Sequence, residues 1–420
     1  MSNAAVRDAP LLAQYLTTRR ATAALCGALE NEDFGLQGMT EASPPKWHLA
    51  HTTWFFESFI LKPLAEAYRP YDPAFEYLFN SYYNGVGPQY PRGQRGLLSR
   101  PTVRQVFAYR EHVDAAMSGL LSNTGHAEAG RVQALCELGL HHEQQHQELL
   151  CTDIKYSFSL NPLFPAMREV PPADVSLPPG AMAFVDQEAA DVWIGHRGDG
   201  FHFDNEAPAH PYRLPSFRFA NRLVSNGEFL EFVQDGGYRT PTLWLSDGWT
   251  WCRSNTVSHP LYWRERDGAW FEYTLHGLIP LCPQAPLLHV NYYEADAFAR
   301  WMGRRLPTEQ EWESVCMQRG LEPAHRPVAL HPVAGSGDDE VRDMFDCLWQ
   351  WTGSAYSAYP GYRPPVGAVG EYNGKFMCNQ LVLRGSSCLT APGHARVSYR
   401  NFFYPQDRWQ FTGIRLADDL

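Results

Sequence analysis

Residues 161–180, "NPLFPAMREVPPADVSLPPG", carry six prolines in twenty positions. No helix or interior strand runs through such a stretch, because each proline lacks the amide donor that either element needs and restricts the residue before it. The chain is divided there. Each side must close a core of its own, and 420 residues leave ample material for both.

The two sides differ in texture. From about residue 7 to 160, apolar residues recur at helical spacing in four segments. These are "APLLAQYLTTRRATAALCGALE", "SPPKWHLAHTTWFFESFILKPL", "TVRQVFAYREHVDAAMSGLLS" and "RVQALCELGLHHEQQHQELLCTDIKYSF". In the second, Ser43 reads as an N-cap and Pro44 as the first helical residue. With one long irregular crossover at 66–101, the pattern predicts a four-helix bundle, a fold that can assemble a ligand site from facing helices. Beyond the prolines, short strand-like runs alternate with Gly, Pro, Trp and Asn, and two helices stand out, near 226–234 and 293–302. An irregular mixed α+β domain is expected there. The expected organisation is α+β overall: a helical domain over 1–160, a linker over 161–180 and a second domain over 181–420.

Composition narrows the function. A net charge of −11 argues against a broad electrostatic grip on nucleic acid, which needs clustered Lys and Arg. No apolar run reaches the ~18 residues that a membrane-spanning helix requires. "MSNAAVRDAPLLAQYLTTRR" lacks the basic start and apolar core of a secretory signal. The nine cysteines are odd in number, scattered and without a CxxC, which suits reduced thiols. A cytoplasmic protein with neither nucleic-acid nor membrane partner is expected. Its 14% aromatic content serves core packing first, and could also supply ring faces to hold a cation.

"HHEQQHQELL", residues 141–150, places His142 and His146 one helical turn apart, so both imidazoles can reach one metal ion. His141 is rotated by about 100° and faces elsewhere. An inward stripe through Leu135, Leu138, Gln145, Leu149 and Asp153 puts the histidine pair on a core face. "KWHLAH" offers His48 and His51 at a similar spacing, and a bundle can bring one of them opposite the pair. Three neutral imidazoles on one side of an octahedral ion leave three positions open for substrates. Two rival readings remain. His142-Glu143-Gln144-Gln145-His146 also matches HExxH, the pattern of zinc hydrolases with Glu143 as general base. A bundle that kept its fold without its chemistry would be a binding module.

Taken together, "SPPKWHLAHTTWFFESF", "FNSYYNGVG", "QRGLLSRPT", "HHEQQHQELL", "SNGEFLEFV", "HVNYYEADAFARWMGRRLPTEQEWE", "LWQWTGS", "VLRGSS" and "SYRNFFYPQDRWQFTGIRLA" cover nearly the whole chain. In these motifs the chain resembles the ergothioneine-pathway sulfoxide synthases, in which a DinB-like bundle is fused to a domain related to formylglycine-generating enzyme. The resemblance extends to their close relatives, the selenoneine synthases. It implies iron(II), Fe(II), held by His51, His142 and His146, with His48 a neighbour rather than a ligand. It also implies an O2-dependent coupling of a small, cysteine-type thiol to C2 of the imidazole of hercynine, the trimethylated betaine of histidine, giving a sulfoxide. A selenosugar donor forming a C–Se bond is the alternative.

The resemblance assigns further roles. Tyr82 and Tyr83 in "NSYYN" match a tyrosine pair at the oxygen site, where a phenol can deliver a proton. Gln145 and Asn401 are implied contacts to the carboxylate end of hercynine, and Phe402 and Phe403 shape the donor pocket. A donor with a second carboxylate needs further cations, for which Arg92, Arg95 and Arg100 are available. "VLRGSS" departs from an expected "RGGS" near the donor wall and keeps the donor open. Cys388 stands alone where formylglycine-generating enzymes carry paired cysteines, so that thiol chemistry is expected to be lost.

Overall fold

The computed structural model describes residues 10–123, 125–169, 180–333 and 340–420. Half of the expected linker, residues 170–179, lies outside the described residues. The chain forms two compact units. The first spans Met1–Met167 and also takes in Pro365–Tyr372 and Thr390–His394, two stretches that the domain limits read from the sequence had placed wholly with the second half.

Four main helices build the first unit: α1 (Leu11–Leu25), α2 (Pro45–Phe56), α3 (Val103–Ser122) and α4 (Ala129–Ser159). Every residue of α2 is buried, and the helix packs against both α3 and α4. It runs on through a π-helical turn at Glu57–Leu61 into Lys62–Leu64. Close approach of α2 to α4 depends on Gly139, where a Cβ would fall 2.5 Å from Cε1 of Phe56. Helix α3 opens with a reciprocal cap, Thr102 Oγ1 accepting from the Gln105 amide at 3.2 Å and Gln105 Oε1 from the Thr102 amide at 2.9 Å.

Three expectations for this unit need correction. Pro44 is the N-cap of α2 and Pro45 its first residue, while Ser43 receives Arg95 Nη1 on its hydroxyl and donates its amide to Asp153. The crossover 66–101 contains a short helix at Phe75–Phe79 and a 3-10 segment at Arg92–Leu97. Leu135, Leu138, Gln145 and Leu149 are only half-buried; the innermost face of α4 carries Val132, Cys136, Gly139, Leu140, Glu143, Gln147 and Leu150. Polar residues sit on that face because α1 satisfies them: Gln147 Nε2 donates to Thr18 O at 3.1 Å and Thr22 Oγ1 at 3.0 Å. A periodicity search reads such buried amides and acids as solvent-facing.

The second unit is irregular α+β, as its texture predicts. Strands β1 (Phe184–Gln187), β4 (Phe217–Ala220) and β12 (Ala417–Asp419) form one antiparallel sheet. Strands β2 (Ala190–Ile194) and β3 (His210–Leu214) pair, and β5 (Trp263–Arg266), β6 (Ala269–Thr274) and β7 (Gly277–Pro280) make a meander. A mixed sheet runs in the order β10 (Asn401–Phe403), β9 (Leu381–Gly385), β8 (Trp349–Ala355), β11 (Thr412–Gly413). One core gathers Leu214, Phe217, Phe219, Trp312 and Val315.

Among the described residues this unit has four main helices rather than two: α5 (Asn226–Gln234), α6 (Ser246–Ser254), α7 (Tyr292–Trp301) and α8 (Glu309–Arg319). The start of α8 was legible, since Thr308 and Glu311 form a capping box. Its periodicity was not, because it buries Glu309 and Glu313 against Arg400 and Arg384 instead of turning acids to water. Among the described residues no helix is long and apolar enough to cross a membrane.

Candidate metal centre

Helix α2 contributes His51 and α4 contributes His142 and His146, and one nitrogen from each lies within 4.8 Å of the others. The three are 0%, 1% and 8% exposed. The Nδ1 of His51 is 2.6 Å from the Phe79 carbonyl, which can only accept, so the hydrogen sits on Nδ1 and the Nε2 lone pair is left bare. That Nε2 and both nitrogens of His142 have no hydrogen-bond partner. Buried imidazole nitrogens left without partners are costly, and a metal ion aimed at by all three would satisfy them.

Electrostatics point the same way. Burial brings His142 down to about 3. It also lowers His51 and His146 well below the usual histidine range, with the neighbouring His142 adding to the effect. All three are neutral near pH 7, the form a metal requires. An all-imidazole set suits a borderline first-row ion and leaves positions open. Among the described residues it is the one cluster of three His, Cys, Asp or Glu with this geometry.

Aromatic rings encase the cluster. Trp47 and Trp54 stack on His51 with ring centroids at 4.5 and 5.5 Å, and the Phe55 ring lies 4.7 Å from that of His142. The Arg95 guanidinium sits 3.5 Å from the Trp47 ring and donates to Ser43 Oγ at 2.9 Å and Ser81 Oγ at 3.2 Å. Arg92 and Arg100 are exposed, whereas Arg95 is 3% exposed and its Nε has no partner. Burial lowers Arg95 to about 9.

Tyr82 and Tyr83 lie side by side, their hydroxyls 3.4 Å apart. Tyr83 is fully buried, and burial pushes its phenol well above 10, with Tyr82 and Tyr372 adding to the rise. Tyr372 was not anticipated. It donates to Gln145 Oε1, and its ring lies 5.7 Å from His142 and 6.5 Å from Tyr82. Glu371 beside it accepts from the amides of Asn84 at 3.1 Å and Gly85 at 2.7 Å, tying 365–372 to the tyrosine loop. The one sequence signal was "GEYNG", an acid and a phenol between glycines with no helical or strand pattern around them. His141 does face away from the cluster, its Nδ1 2.9 Å from Nδ1 of His394.

Glu143 removes the HExxH reading. It is fully buried and accepts from Arg19 Nη1 at 2.8 Å, Arg110 Nη2 at 3.0 Å and Thr22 Oγ1 at 2.6 Å. Burial alone would raise its carboxyl, but Arg19 and Arg110 outweigh this and hold it at about 2. A carboxylate held at about 2 between two guanidiniums is too weak a base to take a proton from a metal-bound water.

The other expected site residues belong to the second unit. Asn401, Phe402 and Phe403 form the half-buried strand β10, paired with Leu383, Val382 and Leu381. Phe402 stacks on Tyr356 at 4.1 Å, and Asn401 Oδ1 accepts the Phe402 amide at 2.9 Å. Ser386, the departure from "RGGS", supports the local backbone, its hydroxyl accepting from the Asp346 amide at 2.7 Å. The Cys388 amide donates to the Cys347 carbonyl at 2.9 Å; both cysteines are buried and neither is in a disulfide.

A three-histidine cluster on two bundle helices, in a chain that continues into an irregular α+β unit, defines a two-part protein whose halves match different domain families. Residues 14–150 match the DinB superfamily, and residues 161–325 and 327–420 match the sulfatase-modifying factor enzyme 1-like domain. Hercynine oxygenase of Mycolicibacterium thermoresistibile is 30% identical over 90% of this chain and 88% of its own length. That of Mycolicibacterium smegmatis is 32% identical over 67% of this chain and 71% of its own. Ergothioneine biosynthesis protein 1 of Schizosaccharomyces pombe is 29% identical over 52% of this chain and 27% of its own. The chain thus belongs to the hercynine oxygenase family.

Proposed function

We propose that this protein is a non-heme iron(II), O2-dependent enzyme of ergothioneine biosynthesis that joins a small cysteine-type thiol to C2 of hercynine. The carrying observation is the buried histidine cluster, with bare nitrogens on His51 and His142, in a chain related along nearly its whole length to a hercynine oxygenase. The reaction balances as hercynine C2–H plus thiol S–H plus O2 giving the C–S sulfoxide and one water. Carbon–sulfur bond formation and sulfur oxidation each supply two electrons, and the two hydrogens leave in the water.

His51, His142 and His146 would hold the iron. Bound there, iron(II) supplies one-electron chemistry with dioxygen and lowers the pKa of a thiol donor. The chain's own residues position and protonate. Gln145, beside the ligand histidines on α4, would take the carboxylate end of hercynine. Burial holds the Tyr83 phenol protonated at neutral pH, and Tyr82, Tyr83 and Tyr372 are the hydroxyls placed to deliver a proton during turnover. Arg95, a buried guanidinium with no carboxylate within salt-bridge distance among the described residues, suits the carboxylate of an amino-acid donor.

The test is incubation of iron(II)-loaded protein with hercynine and oxygen, offering cysteine, γ-glutamylcysteine and a selenosugar separately, with products read by mass spectrometry. A hercynyl sulfoxide from a thiol is expected. A selenium adduct from the selenosugar alone would reassign the protein to selenoneine synthesis, and no adduct from any donor would overturn the reading.

A further inference from the structure

His48 lies one turn before His51 on α2 and is 2% exposed. Both its ring nitrogens are engaged. Its Nδ1 lies 2.9 Å from Nδ1 of His146, and its Nε2 lies 3.1 Å from Oδ2 of Asp153, which is 4% exposed. The same Oδ2 accepts the Ser43 amide at 2.8 Å, which anchors the carboxylate at the start of α2.

With His48 neutral, the chemistry of the three groups gives this chain one direction. An ionised carboxylate only accepts, so the hydrogen of a neutral His48 sits on Nε2. Its Nδ1 then offers a lone pair, and the hydrogen in the 2.9 Å contact must come from Nδ1 of His146. A neutral His146 with its hydrogen on Nδ1 carries a lone pair on Nε2. We propose that Asp153 and His48 form a tautomer-setting relay that presents Nε2 of His146 to a divalent transition metal. This rests on the three-histidine metal reading above and adds two positioning residues to it.

The relay distinguishes the three imidazoles. His51 takes its tautomer from a carbonyl, and His142 takes none from any hydrogen bond. Only His146 is backed, through His48, by a full negative charge, which raises the basicity of its ligand nitrogen.

Cobalt(II) titration of the full-length protein tests this, with affinity from competition against a chelator and the ligand-field absorption spectrum as readouts. Wild type is expected to bind one equivalent and His142→Ala none. His48→Phe keeps a ring but no nitrogen, and should weaken affinity by about 10- to 100-fold with a shifted spectrum. His48→Gln, which retains an acceptor for His146, should recover most of the loss. Asp153→Asn is nearly isosteric and keeps the fold testable if the ring replacement misfolds; its amide can donate to His48 and reverse the relay, so affinity should again fall. The melting temperature of metal-free Asp153→Asn should stay near that of wild type. Wild-type affinity and spectrum in both His48→Phe and Asp153→Asn would overturn the relay while leaving the metal site standing. No cobalt uptake by the wild-type chain would overturn the metal reading and the relay with it.

Discussion

Tyr372 donates its phenolic hydrogen to Oε1 of Gln145, a residue 227 positions earlier in the chain. The bond fastens a glycine-flanked stretch of the second half to α4, one residue from His146 and with the ring edge-on to His142. A phenol that no reading of the bundle sequence could supply thereby joins Tyr82 and Tyr83.

Replacing Tyr372 by Phe keeps the ring against His142 and removes only the hydroxyl. Sulfoxide formation at saturating substrates should slow by about 10²- to 10⁴-fold, the usual share of a positioned proton donor, with metal affinity unchanged. Steady-state rates beside a cobalt titration decide it, and a wild-type rate would move proton delivery to the Tyr82–Tyr83 pair.

Glu143→Gln should act on stability rather than chemistry. The amide leaves Arg19 and Arg110 buried without their counter-charge, a loss of about 3–5 kcal/mol by analogy with broken buried ion pairs. Urea denaturation measures it. A stable variant that has lost a hydrolytic activity present in wild type would revive the HExxH reading.

Gly139→Ala sets two effects against each other. Helix propensity favours alanine by about 1 kcal/mol. The added methyl would meet Phe56 at 2.5 Å and Phe55 at 3.1 Å, both fully buried. Phe56 is wedged against Tyr15 and cannot yield cheaply, so overpacking of about 1–3 kcal/mol should win. A lower melting temperature is expected, and a higher one would show that α2 and α4 can part without cost.

Acid should weaken the second unit through Glu206. Burial raises its carboxyl, but the Arg396 guanidinium and hydrogen bonds from Arg396, Ser398 and the Phe203 amide bring it below the ordinary 4.5. The unfolded chain therefore binds the proton more readily than the folded one. The stability this group contributes is complete above the unfolded value and is lost as pH falls through the folded one. Urea midpoints followed from neutral pH downward should drop below about 4.5, and Glu206→Gln should flatten that part of the curve. An equally steep curve in the variant would assign the acid sensitivity to other carboxylates.

The sequence by itself determined the four bundle helices, the irregular second half and the histidine spacing that brings His51, His142 and His146 together. These are local matters: one turn of helix fixes His142 and His146 on a common side, and apolar recurrence fixes which segments become helices. It did not determine which face of α4 lies innermost, because Glu143 and Gln147 are buried by partners on other helices. For the same reason α8, whose acids pair with distant arginines, had no visible stripe. Only the tertiary structure decided that Glu143 is an ion-pair residue and not a base, that Ser386 supports a loop, that Arg95 is buried on Trp47, and that Tyr372 and Glu371 close onto the bundle. Each of these depends on contacts between residues tens to hundreds of positions apart. Such pairings are set by packing and charge compensation across elements, and no window of sequence contains both partners.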